Sequence, residues 1–394
     1  MYFVKILKYD PDLFHESLKS YAGQELYFSQ YDLLNLQSKA HTDCPDKLVN
    51  IDARPAPITE YLSQELHDGD SILFSRTGGA GDIMMILPII QRIKQQHSSV
   101  KIGFATRSRF GDLARMSPHV DVVHTIPVLA QYVSPYTYVA HFYDAIEFPH
   151  QVARTEHGCN VFARRLRLPD LSREEMRVEL TVPKGATKSI AHRLKKTGIK
   201  PQDTLILFQY KSSNVNRTYP PQRSPYLVYA LSRLTPNTHV IVTGGTNDCG
   251  VTWHDQATGA QISNIHNWTG QTDIYDMGAL VQRANLCIGP DSFLTHLGGA
   301  MGVPTLGLFN VVPPELRVGQ YDNVMGMFAR YECAPCFSHG RSHCSKCTIL
   351  IRDWEQRHKA DEPKPGAPCW DTITNREVCR NAARLLGLEG SNAQ

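Results

Sequence analysis

The stretch that decides the fold is residues 71–97, with the sequence SILFS-RTGGAGD-IMMILPIIQRIKQQH. The apolar run at 71–75 predicts a buried strand, and the glycines that follow predict a tight turn. The segment from Asp82 to His97 predicts a helix. A strand, a glycine-rich turn and a helix in this order begin a βαβ unit, which implies a parallel sheet.

The same alternation extends along most of the chain. Strands are predicted at 101–106, 120–126, 204–209, 239–243, 286–289 and 304–309, with another near 265, and helices at 110–116, 223–235, 253–260, 273–285 and 292–301. This pattern predicts an α/β protein with two doubly wound, Rossmann-like halves joined near residue 185. Open sheets bind ligands beyond the carboxyl ends of their strands, so we expect the halves to face each other across a substrate cleft.

Composition sets further limits on the protein. The chain has 394 residues with 41 Lys and Arg against 38 Asp and Glu, a globular composition whose near-neutral charge argues against a nucleic-acid-coated surface. The longest apolar run, residues 83–90, is too short for a membrane helix, and no signal peptide is evident. We therefore expect a cytoplasmic protein with an N-terminal extension (1–70), a first Rossmann-like domain (71–185) and a second one (186–394).

A local basic excess lies within residues 151–200, which contain twelve Lys and Arg against five Asp and Glu. The pattern is typical of a solvated helix face. It also fits a surface that attracts an anionic acceptor.

The first candidate site is the turn at 76–82. Its glycines Gly78, Gly79 and Gly81 allow backbone N–H groups to approach a ligand, and a helix N-terminus favours anions. No Gly-Lys-Ser/Thr follows, which excludes a P-loop, and the second strand ends in basic residues where a dinucleotide-binding fold has an acidic one. Asp82 is either the residue that caps the helix or a base that removes a proton from an acceptor hydroxyl.

The second candidate site is the end of the strand at 286–289 and the helix after it. Asp291 and Ser292 precede the helix, whose first turn offers free N–H groups to a diphosphate. His296, one turn further on, is either structural or a donor to a phosphate oxygen. Arg217, in a loop after the strand at 204–209, could hold a phosphate through two hydrogen bonds. The pair Gly298-Gly299 weakens the helix, which suggests a close neighbour.

These motifs together resemble glycosyltransferase family 9, the ADP-heptose-dependent heptosyltransferases. The resemblance rests on Gly-x-Gly-Asp after the first strand, a basic residue before x-aromatic-Pro, and Asp-Ser-x-x-x-His-Leu at 291–297. The strand at 302–309 and the tail at 369–378 are also similar, so the match covers about residues 71–387. It implies the two-domain GT-B fold and an inverting glycosyltransferase that uses a nucleotide-diphosphate sugar.

The resemblance also implies roles for individual residues. Asp82 becomes the general base and Arg217 the phosphate-binding residue, while the nucleotide-sugar site is formed by Asp291, Ser292, His296 and the loop Gly244, Gly245, Thr246. Phe293 departs from the family, which usually has Gly there, and would reshape the phosphate site. No catalytic metal is expected, because the one Asp-x-Asp (10–12) lies outside the predicted sheets.

Six of the ten cysteines lie in the last 62 residues, within a Cys-rich segment at 333–379. Two Cys-x-x-Cys pairs, Cys333 with Cys336 and Cys344 with Cys347, suit a tetrahedral structural zinc or iron site. Reduced packing cysteines are the alternative, and His339, His343 and Cys369 are competing ligands. The pairs resemble the four-Cys metal centre of autotransporter protein heptosyltransferases.

Several alternatives stay open at this point. The acceptor is a glycolipid, a protein side chain or a modified DNA base of the kind glycosylated by phage enzymes. A non-catalytic protein that binds sugar nucleotides or nucleic acid is a rival of another class. An NADP-dependent oxidoreductase is a second one, and binding of nicotinamide cofactors would distinguish it.

Overall fold

The computed structural model describes residues 2–6, 24–28, 51–142, 145–146, 152–213, 215–245, 262–336 and 367–388. The contacts divide the chain into two units. The first unit is Met1–Gly78, Ile86–Phe148 and Cys159–Leu171; the second is Gly79–Met85, Pro149–Gly158 and Ser172–Gln394. The predicted domain boundaries at residues 70 and 185 stay predictions.

Strands and helices are numbered in chain order over the described residues. The strands are β1 (Tyr2–Ile6), β2 (Glu25–Phe28), β3 (Ile51–Pro55), β4 (Thr59–Glu60), β5 (Ser71–Ser75), β6 (Lys101–Thr106), β7 (Val122–Thr125), β8 (Val128–Leu129), β9 (Tyr138–His141), β10 (Thr204–Phe208), β11 (Thr238–Val242), β12 (Ile265–Asn267), β13 (Leu286–Pro290), β14 (Thr305–Phe309) and β15 (Val324–Phe328). The helices are α1 (Ala80–Gln96), α2 (Gly111–Arg115), α3 (Ala130–Val133), α4 (Val152–Thr155), α5 (Gly158–Arg165), α6 (Lys184–Lys196), α7 (Ser224–Ser232), α8 (Ile274–Arg283), α9 (Phe293–Ala300), α10 (Glu315–Val318) and α11 (Asn375–Leu385).

The first unit contains a five-stranded parallel sheet in the order β4-β9-β5-β6-β7. All five residues of β5 are buried, as expected for a central strand of a parallel sheet. A second sheet, antiparallel, has the order β3-β1-β2-β8, so the chain before residue 56 contributes three of its strands.

The second unit contains a six-stranded sheet in the order β12-β11-β10-β13-β14-β15, with every pair parallel. This is the strand order of a doubly wound Rossmann fold, and its order reverses between β10 and β13. Ligands bind at such a switch point, at the carboxyl ends of the strands. The loops that follow β10 and β13 are therefore the expected place of a ligand site in this unit.

Most of the predicted elements are confirmed within a few residues, including the strand at 71–75 and the helix after it. Helix α6 begins at Lys184, and apolar residues of this basic segment pack against α8. The sequence does not predict strands β1–β4, β8, β9 and β15, nor helices α3–α6, α10 and α11. The predicted helix at 253–260 lies outside the described residues. Within the described part of the chain, no helix is long and apolar enough to cross a membrane.

Candidate functional site

The switch point of the second sheet brings Asp291 and Arg217 together. Asp291 follows β13 directly, and Arg217 ends a short 3-10 helix, Val215–Arg217, in the loop after β10. The Nη1 of Arg217 donates to Oδ2 of Asp291 at 3.0 Å and to its carbonyl oxygen at 3.1 Å. The two residues, taken from separate motifs of the sequence, thus form one ion pair, in which Asp291 is buried and Arg217 partly buried, with side chains 6% and 19% exposed.

Asp291 carries a stable negative charge in this position. Burial by itself raises the pKa of a carboxyl group, but here the charges of Arg217 and Arg317, with a contact to His296, lower the pKa of Asp291 below its usual range. The Nε2 of His296 lies 3.6 Å from Oδ1 of Asp291, and both residues are buried. Asp291 therefore orients its neighbours and does not exchange protons near neutral pH.

Ser292 is the N-cap residue of α9, yet its side chain does not cap the helix. Its Oγ is buried and has no hydrogen-bond partner among the described residues. Nε of Arg217 and Oγ1 of Thr243, at the end of β11, share this property. Buried polar atoms are nearly always paired, so three such atoms in segments that follow neighbouring strands indicate a place for a polar ligand. Phe293 is the first residue of α9 and is partly exposed.

The glycine turn that contains Asp82 lies against the same cluster. Residues 79–85 belong to the second unit, and a Cβ added to Gly81 would stand 3.1 Å from Nε2 of His296. The helix begins at Ala80, so the expectation that Asp82 opens it was wrong by two residues: Asp82 lies in the first turn, where its Oδ2 accepts a hydrogen bond from the N–H of Gly79 at 3.1 Å. Asp82 is only partly buried, so it remains open to solvent.

The loop that carries Arg217 is held by residues distant in the sequence. The carbonyl oxygen of Asn216 accepts hydrogen bonds from Nδ2 of Asn310, at 2.6 Å, and from Nε1 of Trp370, at 3.1 Å. Trp370 is fully buried, and the N–H of Tyr219 closes the loop on the carbonyl of Tyr210 at 2.8 Å. These contacts fix the backbone next to Arg217.

Sequence analysis missed three residues beside the site. Arg317, on α10, is buried and contributes to the low pKa of Asp291. Nε2 of His157 donates a hydrogen bond to Oε1 of Gln320 at 2.9 Å, and burial lowers the pKa of His157 to about 4. All three come from loops or short helices without a recognisable motif. The run Pro313-Pro314 before α10 is the one signal that marks a turn there.

The remaining predicted site residues are mostly glycines, and they differ in their exposure and in the space around them. Gly78 is partly exposed, and Gly79 is exposed with open space where a Cβ would stand. Gly245 is exposed after β11, and Thr246 lies outside the described residues. The close neighbour inferred from Gly298 and Gly299 is confirmed, because a Cβ at either would collide with Thr305 or Tyr321.

The structure describes only two of the four predicted metal ligands. Cys333 and Cys336 follow β15, whereas Cys344, Cys347 and the competing His339 and His343 lie outside the described residues. Cys369 accepts a hydrogen bond from Nδ2 of Asn310 at 3.3 Å. Over the described ranges, no group of three or more His, Cys, Asp or Glu side chains could hold a metal ion.

Two units with parallel sheets, one of them in Rossmann strand order, form a fold similar to that of solved glycosyltransferases of the GT-B class. The model of glycosyltransferase family 9 (heptosyltransferase) matches residues 93–346. The chain belongs to this family and is a glycosyltransferase, as the resemblance implied.

Solved structures support the same fold. A glycosyltransferase family 9 protein from Veillonella parvula DSM 2008 is 14% identical with a TM-score of 0.57; the match covers 83% of this chain and 99% of that one. E. coli ADP-heptose lps heptosyltransferase II is 11% identical with a TM-score of 0.51, covering 82% of this chain and 100% of that one. TibC from enterotoxigenic E. coli H10407, an iron-containing dodecameric glycosyltransferase, is 15% identical with a TM-score of 0.52, covering 85% and 78%. No curated protein sequence matches the chain.

Proposed function

We propose that the chain is an inverting glycosyltransferase that moves a sugar from a nucleotide-diphosphate donor to an acceptor hydroxyl. The donor is an ADP-sugar, in the first instance a heptose. TibC, which is similar in fold, has been solved in complex with ADP-D-beta-D-heptose. The acceptor classes named from the sequence, a glycolipid, a protein or modified DNA, stay predictions.

The observation that carries the proposal is the set of unpartnered buried atoms at the switch point. Oγ of Ser292, Nε of Arg217 and Oγ1 of Thr243 can each donate a hydrogen bond, and none has a partner among the described residues. Thr243 directly follows β11, Arg217 lies in the loop after β10 and Ser292 follows β13, and these three strands are adjacent in the sheet. Ser292 is also the N-cap residue of α9, whose dipole favours negative charge. A diphosphate supplies the acceptor oxygens and the negative charge that such a set requires.

The proposed reaction is a direct displacement. The acceptor oxygen forms a bond to the anomeric carbon, the bond from that carbon to the diphosphate oxygen breaks, and its electron pair leaves with the nucleoside diphosphate. Asp82 takes the proton of the acceptor hydroxyl, for which its partial exposure and its place next to Gly81 and His296 suit it. Arg217 and the N–H groups of α9 stabilise the charge that develops on the leaving group.

Calorimetric titration of the full chain with ADP, UDP, GDP and their sugars tests the donor. We expect ADP-sugars to bind most tightly, and Ser292→Ala to weaken that binding by roughly tenfold, since hydrogen bonds to charged groups contribute about 1.5–3 kcal/mol. Ser189→Ala, an exposed serine on α6, is the matched control and should bind like the wild type. Binding of NADP with displacement of ADP, or equal affinity of the two serine variants, would contradict the proposal.

A structural metal held by Cys333, Cys336, Cys344 and Cys347 is a separate proposal, supported by the paired spacing in the sequence and by the iron of TibC. Elemental analysis of the purified chain should find iron or zinc. Cys333→Ser should lower the metal content and Cys159→Ser, a buried cysteine elsewhere, should not. Unchanged metal content in the Cys333 variant would reject this ligand set.

A further inference from the structure

Helix α6 and the loop after it form a strongly basic surface away from the switch point. Residues 183–200 contain six Lys and Arg and no acidic residue. Lys184, Lys188, Lys195, Lys196 and Lys200 are all exposed, and none has an ion pair with another described residue. The one arginine, Arg193, is occupied: it lies 3.8 Å over the ring of Trp268 and donates to Gln271.

This surface borders a groove between α6 and α8 with a volume of about 810 Å³. That size lies within the range of about 300–1,000 Å³ typical of small-molecule sites. Its walls are mostly aliphatic, with Ile190, Leu194, Ile199 and Ala279 behind them, and its cations are Lys195, Lys200 and Arg283. No acidic or aromatic residue lines it.

The groove has a fixed wall. Nη2 of Arg283 donates to the carbonyl oxygens of Lys200 and Pro201, each at 2.8 Å, and of Asp203 at 3.0 Å. These three hydrogen bonds hold the loop after α6 against the end of α8. The groove is therefore a formed feature of the second unit.

We propose that this groove binds one anionic phospholipid of a bilayer surface, with an acyl chain along the aliphatic wall and the phosphate between Lys195 and Lys200. The remaining lysines of α6 would face the anionic membrane around that lipid. Charge complementarity selects an anion, and the aliphatic walls select one with a hydrocarbon chain. Single-stranded nucleic acid is a poorer fit, because its bases need aromatic side chains for stacking and the groove has none.

Sedimentation of the full chain with vesicles tests the proposal. We expect binding to vesicles of phosphatidylglycerol and phosphatidylcholine in equal amounts, and much weaker binding to phosphatidylcholine alone. A lysine near an anionic surface contributes roughly fivefold to such binding, so Lys195→Gln with Lys200→Gln should weaken it by about 30-fold or more. The control, Lys184→Gln with Lys188→Gln, removes the same charge from the same helix outside the groove and should weaken it less.

The variant Ala191→Phe tests the contribution of the groove independently of the contribution of the lysine charges. Ala191 is exposed and lines the groove, so the larger side chain should fill it and weaken vesicle binding at unchanged net charge. Equal losses in the two lysine pairs, together with wild-type binding by Ala191→Phe, would overturn the proposal in favour of unspecific attraction. Tighter binding of a single-stranded RNA oligonucleotide than of the vesicles, lost in Lys195→Gln with Lys200→Gln, would overturn it in favour of nucleic acid.

Discussion

Two aspartates, Asp82 and Asp291, occupy the same kind of local structure but differ in burial and in their charged neighbours. Each follows a buried parallel strand and lies at the start of a helix. Asp82 is partly exposed and accepts a hydrogen bond from the nearby backbone of Gly79. Asp291 is buried between Arg217 and His296 and has a lowered pKa. A strand–turn–helix motif therefore specifies the position of a carboxylate, whereas its environment decides between proton transfer and fixed charge.

The largest expected effect comes from removing the carboxylate of Asp82. Asp82→Asn keeps the shape but cannot take up the proton, so we expect kcat to fall by roughly 10²–10⁴-fold with donor affinity unchanged. Asp82→Glu, which restores a carboxylate, should recover part of the rate. Initial rates with a saturating ADP-sugar and calorimetric donor binding measure the two quantities. Wild-type kcat in Asp82→Asn would refute the role of Asp82 as the base.

Asp291 should show the opposite behaviour, a loss of stability. Asp291→Asn leaves the partly buried Arg217 without its counter-charge, and breaking a fully buried pair costs about 3–5 kcal/mol, which is the upper bound expected here. Asp82→Asn is the control and should change the free energy of unfolding by less than about 0.5 kcal/mol. Urea unfolding followed by circular dichroism compares the variants. Equal free energies of unfolding for Asp291→Asn and Asp82→Asn would contradict the assignment of a structural role to Asp291 alone.

Acid should destabilise both units through buried histidines. Burial lowers the pKa of His141, in the first unit, to about 3 and that of His157, in the second, to about 4. The unfolded chain binds these protons below its ordinary pKa of about 6.5, so stability falls from there as the pH drops towards 4. The slope is up to about 1.4 kcal/mol per pH unit for each histidine.

Unfolding midpoints between pH 7 and 5 test this dependence. His157→Gln should flatten the decline, because the variant lacks one of the histidines whose pKa is lowered in the folded chain. The exposed His192→Gln should leave the decline unchanged. An identical slope in all three proteins would rule out His157 as a source of the pH dependence.

The smallest expected effect concerns the hydrogen bond by which Trp370 holds the Arg217 loop. Trp370→Phe removes one of two hydrogen bonds to the carbonyl of Asn216, and we expect a loss of about 1–2 kcal/mol with weaker donor binding. Thr374→Ala removes the N-cap of α11 and costs about 1 kcal/mol as well, yet it does not touch the loop. The two variants should therefore match in stability and differ in donor affinity.

The sequence predicted the parallel strands and the two turns because each is a local pattern of apolar runs and glycines, as at 71–82. It also placed Asp82, Arg217, Asp291 and Ser292 at strand ends. It could not predict that Arg317 affects Asp291, or that Trp370 holds the Arg217 loop, because those contacts join positions far apart in the chain. The sequence does not predict helix α6, because it has only two buried apolar residues, Ile190 and Leu194, among many lysines, and its apolar periodicity is therefore weak.

The hydrogen bond from Trp370 to the carbonyl of Asn216 joins the Arg217 loop to a residue that is synthesised after all strands of the second sheet. A ribosome that has made the whole second sheet has still not made the indole that anchors Arg217. A nascent chain halted between β15 and residue 370 would thus contain all the described strands, β1–β15, while the Arg217 loop would lack one of the two hydrogen bonds to the carbonyl of Asn216. If the proposed donor site is correct, its last hydrogen bond would be completed only after the C-terminal segment had been synthesised.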